Sequence, residues 1–133
     1  MGKLKLGVVT YIDKTKDVYA QFEKIANAGF ETCQVHCWDE SLLCDHYAEL
    51  VKEGARRAGI EITALWCGWQ GPAVWNFSEG PITLGLVPGA YRQYRLQTLM
   101  KGSDFAKAIG VSKLATHVGF IPENPNDPDY PGL

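Results

Sequence analysis

Apolar residues recur at helical spacing in three segments of the chain. In the first segment they fall at positions i, i+4, i+7 and i+8, which places them on one helix face, and Asp17 or Thr15 can cap its start. The three stripes are Val18, Phe22, Ile25 and Ala26; then Tyr47, Val51, Gly54, Ala55 and Ala58; then Leu96, Leu99, Ser103, Ala106 and Ile109. Each stripe predicts a helix whose apolar face packs against a core.

All three predicted helices end with an alanine or isoleucine, a glycine and an apolar residue that lead into a strand. Gly29, Gly59 and Gly110 stand where a helix end favours a left-handed residue. The predicted strands cover residues 5–11, 32–38, 61–67 and 113–120. This order predicts an α/β fold of parallel strands alternating with helices, the N-terminal (βα)4-type half of a TIM (β/α)8 barrel. We expect a single domain over residues 1–133, truncated after its fourth strand.

The third unit is longer than the others. Gly29 and Gly59 are about 30 residues apart, whereas Gly59 and Gly110 are about 50 apart. The additional residues lie at 70–90, directly after the third predicted strand. Because loops that follow strands form the active face of such a barrel, the insertion is expected at the functional end.

Composition narrows the class of protein without deciding it. The chain has 133 residues and a formal net charge of −2, which does not favour nucleic acid as a partner. No apolar run approaches the roughly 20 residues that span a bilayer, and the start lacks the apolar core of a signal peptide. We therefore expect a cytoplasmic protein with no membrane or nucleic-acid partner.

The cysteines are expected to be reduced. Cys33 and Cys37 are four residues apart on one strand, so their Cα atoms should be about 13 Å apart, beyond disulfide reach. Alternation sends both cysteines to one face and His36 to the other, which makes a shared zinc site unfavourable. Buried thiols are the better interpretation.

The same alternation selects candidate binding residues. If Cys33, Val35 and Cys37 pack against helices, then His36 and Trp38 face the barrel interior near the carboxyl end of their strand. On the fourth strand the same argument turns His117 inward. Such histidines suit binding of hydroxyl or carbonyl oxygens, metal ligation or proton transfer. The alternative is that they are hydrogen-bonded within a polar barrel core.

Tryptophans surround the start of the insertion. Trp66, Trp69 and Trp75 offer flat aromatic faces beside polar side chains, an arrangement that commonly meets sugar rings. They could equally pack the long loop onto the barrel rim or onto a neighbouring subunit. Arg92 and Arg95 could hold a substrate phosphate or carboxylate, although surface pairing with an acidic residue is commoner.

Several motifs together resemble the sugar phosphate isomerase/epimerase family, which has a xylose isomerase-like TIM barrel and is related to the AP endonucleases. The resemblance covers nearly the whole chain, but members of the family are about twice as long. The motifs are Trp75-Asn76-Phe77-Ser78-Glu79-Gly80-Pro81, Gly85-Leu86-Val87-Pro88, Tyr91-Arg92 with Arg95, Ser103-Asp104-Phe105-Ala106, Thr116-His117-Val118-Gly119-Phe120-Ile121-Pro122-Glu123, and the stretch 124–130.

The resemblance implies metal-assisted proton transfer on a ketose, aldose or polyol. It implies a divalent ion (Mn, Mg, Co or Zn) whose ligands come from strands five to eight, outside this chain. No motif of this sequence matches the catalytic glutamates of the family, so the catalytic residues are unknown. His36, Trp66 and His117 match its substrate-facing positions. With Trp38, Trp69 and Trp75, they complete the set of residues expected to bind substrate.

Two hypotheses follow for function and partners. The chain is the substrate-binding half of a sugar or sugar-phosphate isomerase or epimerase, inactive alone, or it is a non-catalytic sugar-binding or self-assembling half barrel. Both require a partner, either a second half barrel or a second copy, because a half barrel leaves two open edges and an uncovered inner face. DNA repair is disfavoured because the net charge is negative and the chain lacks a histidine-rich cluster.

Overall fold

The computed structural model describes residues 4–127 and residue 130. It contains four parallel strands in the order β1-β2-β3-β4, alternating with helices, which confirms the predicted half barrel. No helix within this part of the chain is long and apolar enough to cross a membrane. The elements are β1 Gly7–Ile12, α1 Val18–Asn27, β2 Thr32–Cys37, a 3-10 turn Glu40–Leu42, α2 Asp45–Ala58, β3 Glu61–Cys67, α3 Gly80–Thr83, α4 Gly89–Ala108 and β4 Leu114–Ala115.

The core lies between the sheet and one layer of helices. Val35 of β2 and Leu65 of β3 are fully buried there, because their side chains point from the sheet toward the helices. Helices α1 and α2 approach closely, and Gly54 allows it: a Cβ at that position would lie 2.9 Å from the ring of Phe22. The predicted apolar faces of α1 and α2 therefore pack against the core, as expected.

The cysteines follow the predicted alternation. Cys33, Cys37 and Cys67 are buried on the helix side of the sheet, Cys44 is exposed, and all four are free thiols. Burial raises the pKa of Cys37 to about 12, with a smaller contribution from neighbouring Cys67. These thiols therefore pack as small apolar groups.

The predicted core face of the third long helix, α4, is confirmed at Ala106 and Ile109, which are buried, but is wrong at Leu96 and Ser103, which are exposed. Leu96 is exposed, whereas the neighbouring Arg95 is only 1% exposed. The buried positions of the helix are Arg95, Thr98, Gly102, Phe105 and Ala106. Gly102 sits in that face because a Cβ there would lie 2.6 Å from the sulfur of Cys67 on β3. The apolar pattern missed this face because an arginine, a threonine and a glycine lie on it.

The fourth strand is shorter than predicted. It covers Leu114–Ala115 rather than residues 113–120, and beyond it the chain turns to the insertion. The carbonyl of Val118 accepts hydrogen bonds from the backbone amides of Leu86 and Val87, the second at 2.9 Å. Gly85 permits this approach, since it has a φ of +71° and a Cβ there would overlap the Val118 backbone. Residues 128 and 129 of the predicted tail lie outside the described residues.

Candidate functional site

The barrel-facing side of the sheet carries a row of rings. Tyr11, His36 and Trp66 are paired in register across β1, β2 and β3. The ring of His36 stacks on Trp66 with centroids 5.1 Å apart, and Tyr11 meets His36 edge-on at 5.0 Å. Tyr11 is 49% exposed. His36 therefore points toward the barrel interior, as expected. The described residues leave this inner face of the sheet partly exposed.

Two further tryptophans extend this row at the carboxyl ends of β2 and β3. The centroid of Trp38 lies 4.6 Å from that of Trp66 and 5.3 Å from that of Trp69. Gly68 makes this contact possible, because a Cβ there would lie 2.4 Å from the Trp38 ring. The side chain of Gln70 donates a hydrogen bond to the Trp38 carbonyl. We call His36, Trp38, Trp66 and Trp69 the aromatic cluster.

Arg95 anchors the aromatic cluster to α4 and the insertion. Its guanidinium lies 5.0 Å from the Trp69 ring centroid and 4.6 Å from that of Tyr91. The same group donates hydrogen bonds to the carbonyls of Pro72 (2.9 Å) and Gly85 (2.6 Å), near the two ends of the insertion. Among the described residues Arg95 has no acidic partner, and both of its terminal nitrogens are bonded to carbonyls, so it is neither the surface ion pair nor the open anion site that the sequence suggested.

A second ring pair lies where the insertion meets the segment after β4. Trp75 and His117 contact edge-on with centroids 5.0 Å apart. Together with Asn76, Phe77, Leu84 and Phe120 they line a cleft of about 180 Å³. The six residues expected to bind substrate thus form two groups, the aromatic cluster and the Trp75–His117 pair. No ring contact among the described residues joins the two groups.

Three of these side chains leave a buried ring nitrogen without a hydrogen-bond partner. The atoms are Nε2 of His36, Nε1 of Trp69 and Nδ1 of His117. Buried polar atoms are nearly always hydrogen-bonded, so each unpaired atom is a candidate for a hydrogen bond with a ligand or a water. Only two other described side-chain atoms share this state, Oε1 of Gln21 and Nε of Arg95.

The acidic groups at this end of the sheet are already paired. Glu40 accepts hydrogen bonds from Tyr94, Thr98 and Lys101, and these lower the pKa of its carboxyl group, with Lys101 the largest cause. Asp13 bonds Lys16 and Thr15, which lower its pKa to about 2. Burial lowers the pKa of His36, so its ring is neutral at pH 7. The rings of the aromatic cluster are therefore uncharged, and the Arg95 guanidinium that lies over Trp69 is the charged group in contact with them.

The metal ion that the resemblance implies has no evident binding site among the described residues. Within residues 4–127 and residue 130, no group of three or more His, Cys, Asp or Glu side chains is placed to hold an ion. His36 and His117 each contact a tryptophan ring rather than a second potential ligand. The described residues therefore do not fit the implied divalent ion.

Sequence reasoning missed two members of this region. Alternation along β1 places Tyr11 on the inward face together with Val9, so the argument that turned His36 inward would also have predicted Tyr11. Glu40 had no sequence signal, because its three partners come from α4, more than fifty residues away. Long-range polar networks of this kind appear only once the helices are placed.

No protein-family model and no curated protein matches the sequence at a significant level. Among solved structures, a xylose isomerase domain protein from Planctomyces limnophilus matches 96% of this chain with a TM-score of 0.82 and 28% identity. The 3-keto-D-glucoside 4-epimerase of E. coli matches 84% of the chain (TM-score 0.54, 19% identity). D-psicose 3-epimerase, solved in the presence of D-fructose, matches 94% (TM-score 0.57, 15% identity).

These neighbours are xylose isomerase-like TIM barrel proteins, which confirms the family resemblance at the level of the fold. The matched region is only part of each neighbour. The chain covers 44%, 37% and 41% of the three solved chains, respectively. It therefore spans less than half the length of the proteins that it resembles.

Proposed function

We propose that this chain supplies the substrate-binding half of a sugar isomerase or epimerase. The observation that carries the proposal is the set of three unpaired ring nitrogens on His36, Trp69 and His117, at the end of the sheet where such barrels bind ligands. A sugar has the complementary chemistry. Its C–H faces pack on aromatic rings, and its hydroxyls bond ring nitrogens.

Different residues supply the aromatic surface and the hydrogen bonds of the proposed sugar site. Trp38 and Trp66 present ring area, while neutral His36 offers a nitrogen that donates or accepts according to its tautomer. Trp69 is 4% exposed, so its ring packs within the cluster, and its buried N–H has no hydrogen-bond partner among the described residues. In the cleft of about 180 Å³, His117 and Trp75 give a second contact. Catalytic groups and metal ligands are proposed to lie outside this chain, as the resemblance implies.

The comparisons support a carbohydrate substrate. Two of the matched proteins are named as epimerases of sugars or keto-glucosides, and the third as a xylose isomerase domain protein. Since the chain covers less than half of each, catalysis requires a complementary half barrel. We further propose one xylose isomerase-like domain over residues 1–133, in a cytoplasmic protein of carbohydrate metabolism.

Tryptophan fluorescence provides the test of sugar binding. Titration of the chain with D-fructose and D-psicose should change its emission saturably, since Trp38 and Trp66 lie in the cluster. His36→Ala should weaken binding by about fivefold to tenfold, the value of one or two lost hydrogen bonds. His46→Ala, an exposed position on α2, is the matched control and should bind as the unsubstituted chain does. Binding unaffected by His36→Ala would contradict the site.

The second candidate is a non-catalytic, self-associating sugar-binding half barrel. The exposed inner face favours it, since Val9 and Tyr11 are 45% and 49% exposed. Isomerisation assays separate the candidates. The enzyme should interconvert an aldose and a ketose, or two epimers, when a complementary half and Mn²⁺ are supplied, whereas the binding module should not.

A further inference from the structure

The cleft between the insertion and the segment after β4 is lined chiefly by apolar side chains. Its volume is about 180 Å³, and its apolar lining residues are Trp75, Phe77, Leu84 and Phe120. An apolar protein cavity of about 150 Å³ accommodates one benzene ring. The cleft therefore has the size and the lining for a single aromatic ring or a short branched alkyl group.

The polar groups of the cleft are too few for a sugar ring. The side chain of Asn76 is already used within its own loop, since its oxygen accepts from the backbone amides of Ser78 and Glu79 and its nitrogen donates to the Glu79 carboxylate. His117 keeps a buried Nδ1 without a partner. A sugar, with a hydroxyl on nearly every carbon, would place most of its hydroxyls against apolar walls, which is unfavourable.

The cleft also lacks the charge that a phosphate group requires. Neither lysine nor arginine is among its described lining residues. The nearby Arg92 donates hydrogen bonds to the carbonyls of Leu86 (3.0 Å) and Val87 (2.6 Å), and Arg95 is committed to carbonyls as described above. An uncharged apolar group is therefore the occupant that the lining favours.

The walls of the cleft are held in place by packing within the chain. Gly80 lies so close to Phe120 that a Cβ there would be 2.6 Å from the ring, and Leu84 is buried behind it. Phe77 meets Phe120 edge-on with centroids 5.9 Å apart, yet it is 90% exposed. The cleft is therefore preformed, and its outer wall presents ring area that a ligand would cover.

The cleft adjoins the aromatic cluster at the β3–β4 side of the sheet. Trp66 of the cluster pairs in register with Ala115 of β4. The hydroxyl of the next residue, Thr116, donates a hydrogen bond of 2.8 Å to the Cys67 carbonyl, which keeps this segment beside the end of β3. His117 follows directly. One ligand with two ring systems therefore has the two sites side by side.

We infer that the cleft binds the apolar aglycone of a glycoside whose sugar ring lies on the aromatic cluster. The inference rests on the proposed function and narrows its substrate class to sugars that carry an aryl or short branched alkyl group. The sugar then uses the ring nitrogens of the cluster, and the substituent uses the apolar walls of the cleft. The unpaired Nδ1 of His117 is the atom available to the oxygen that links them.

Two glycosides of the same sugar test this inference. The 133-residue chain is titrated with phenyl β-D-glucopyranoside and with methyl β-D-glucopyranoside, and binding is followed by saturation-transfer NMR. The phenyl glycoside is expected to bind about tenfold more tightly, because its ring buries apolar area that the methyl group does not have. Its phenyl protons should receive saturation from the protein together with its sugar protons.

Two substitutions assign each half of the ligand to its site. Phe77→Ala should weaken binding of the phenyl glycoside by about fivefold through lost apolar contact and leave the methyl glycoside unaffected. His36→Ala should weaken both glycosides. Ile82→Ala is the matched control, since Ile82 is a 68% exposed apolar residue of the same insertion and is not among the described lining residues of the cleft. It should bind both glycosides as the unsubstituted chain does.

Three outcomes would overturn the inference. They are equal affinity for the two glycosides, a phenyl advantage that Phe77→Ala leaves intact, and failure of the phenyl glycoside to bind. Failure of the proposed function has a different signature, because His36→Ala would then leave binding of D-fructose and of the methyl glycoside unchanged. If only the inference is wrong, binding of these two ligands still depends on His36 and the phenyl group adds nothing.

Discussion

Arg95 lies over the ring of Trp69, with the guanidinium carbon 5.0 Å from the ring centroid, in a position where the arginine is only 1% exposed. No carboxylate is among its hydrogen-bond partners in the described residues. Its charge is instead met by the Pro72 and Gly85 carbonyls and by the faces of Trp69 and Tyr91. One side chain thus connects α4, the aromatic cluster and both ends of the insertion.

Arg95→Met should destabilise the protein by about 2–4 kcal/mol. Methionine fills similar volume but leaves the buried Gly85 carbonyl and the Pro72 carbonyl without their donor. Urea unfolding gives the free energy, and limited proteolysis should show earlier cleavage within residues 70–88. Arg56→Met is the control on an exposed helix face, with an expected change within about 0.5 kcal/mol. Equal stability of the two variants would show that Arg95 does not hold the insertion.

Gly68→Ala should displace Trp38 and cost about 1–3 kcal/mol, because the new Cβ would lie 2.4 Å from its ring. The near-ultraviolet circular dichroism of the tryptophans should change with it, since Trp38 contacts two other indoles. Gly89→Ala is the matched control. At that position a Cβ meets nothing within 4 Å, so stability and spectrum should stay the same or improve slightly. An unchanged spectrum in Gly68→Ala would argue against the close packing of the cluster.

The repeating glycines and apolar stripes were sufficient to predict the fold. Gly29, Gly59 and Gly110 all have positive φ at helix ends, as expected from their sequence context. What failed was local and lay mainly around the insertion. It buries Arg95 on a face where hydropathy selects Leu96, and it takes up the Val118 carbonyl that a longer β4 would have used. The hydropathy pattern does not predict such contacts between polar groups that are far apart in the sequence.

The candidate site could likewise be predicted only in part. Alternation along a strand was enough to turn His36 inward, because that pattern depends only on backbone geometry. The burial of Trp69 beneath Arg95 depends on α4 and could not be read from its neighbours in sequence. Sequence thus predicts which side chains reach the mouth of the barrel, and the tertiary contacts decide which atoms remain available there.

His36 should make stability fall as the solution is acidified. Burial lowers its pKa in the folded state below the value of about 6.5 expected when unfolded, so protonation favours the unfolded chain. Its contribution is present above pH 6.5 and is lost as pH falls through the folded-state pKa. His36→Gln should flatten the urea-midpoint profile between pH 5 and 7, and His46→Gln should not. Identical slopes in all three proteins would show that His36 is not desolvated.

Glu40→Gln should destabilise the protein by about 1 kcal/mol at pH 7, because the carboxylate accepts charge-assisted bonds from Lys101 and from two hydroxyl groups. The pKa of Glu40 is lowered in the folded state, so its stabilising effect is present above its unfolded value of about 4.5. That effect disappears as pH falls through the folded-state pKa. The difference between the two proteins should therefore be largest near neutrality and should vanish toward pH 3.

Thermal unfolding of both proteins across pH 3–7 measures this difference. Glu49→Gln is the control, since Glu49 is exposed on α2 with Lys52 3.7 Å away. Its curve should follow that of the unsubstituted chain within about 0.5 kcal/mol, as expected for a surface pair. A Glu40→Gln difference that persists unchanged at pH 3 would mean that shape, rather than charge, makes Glu40 important. The link between the 3-10 turn after β2 and α4 would then be steric, and Lys101→Met would be expected to have little effect.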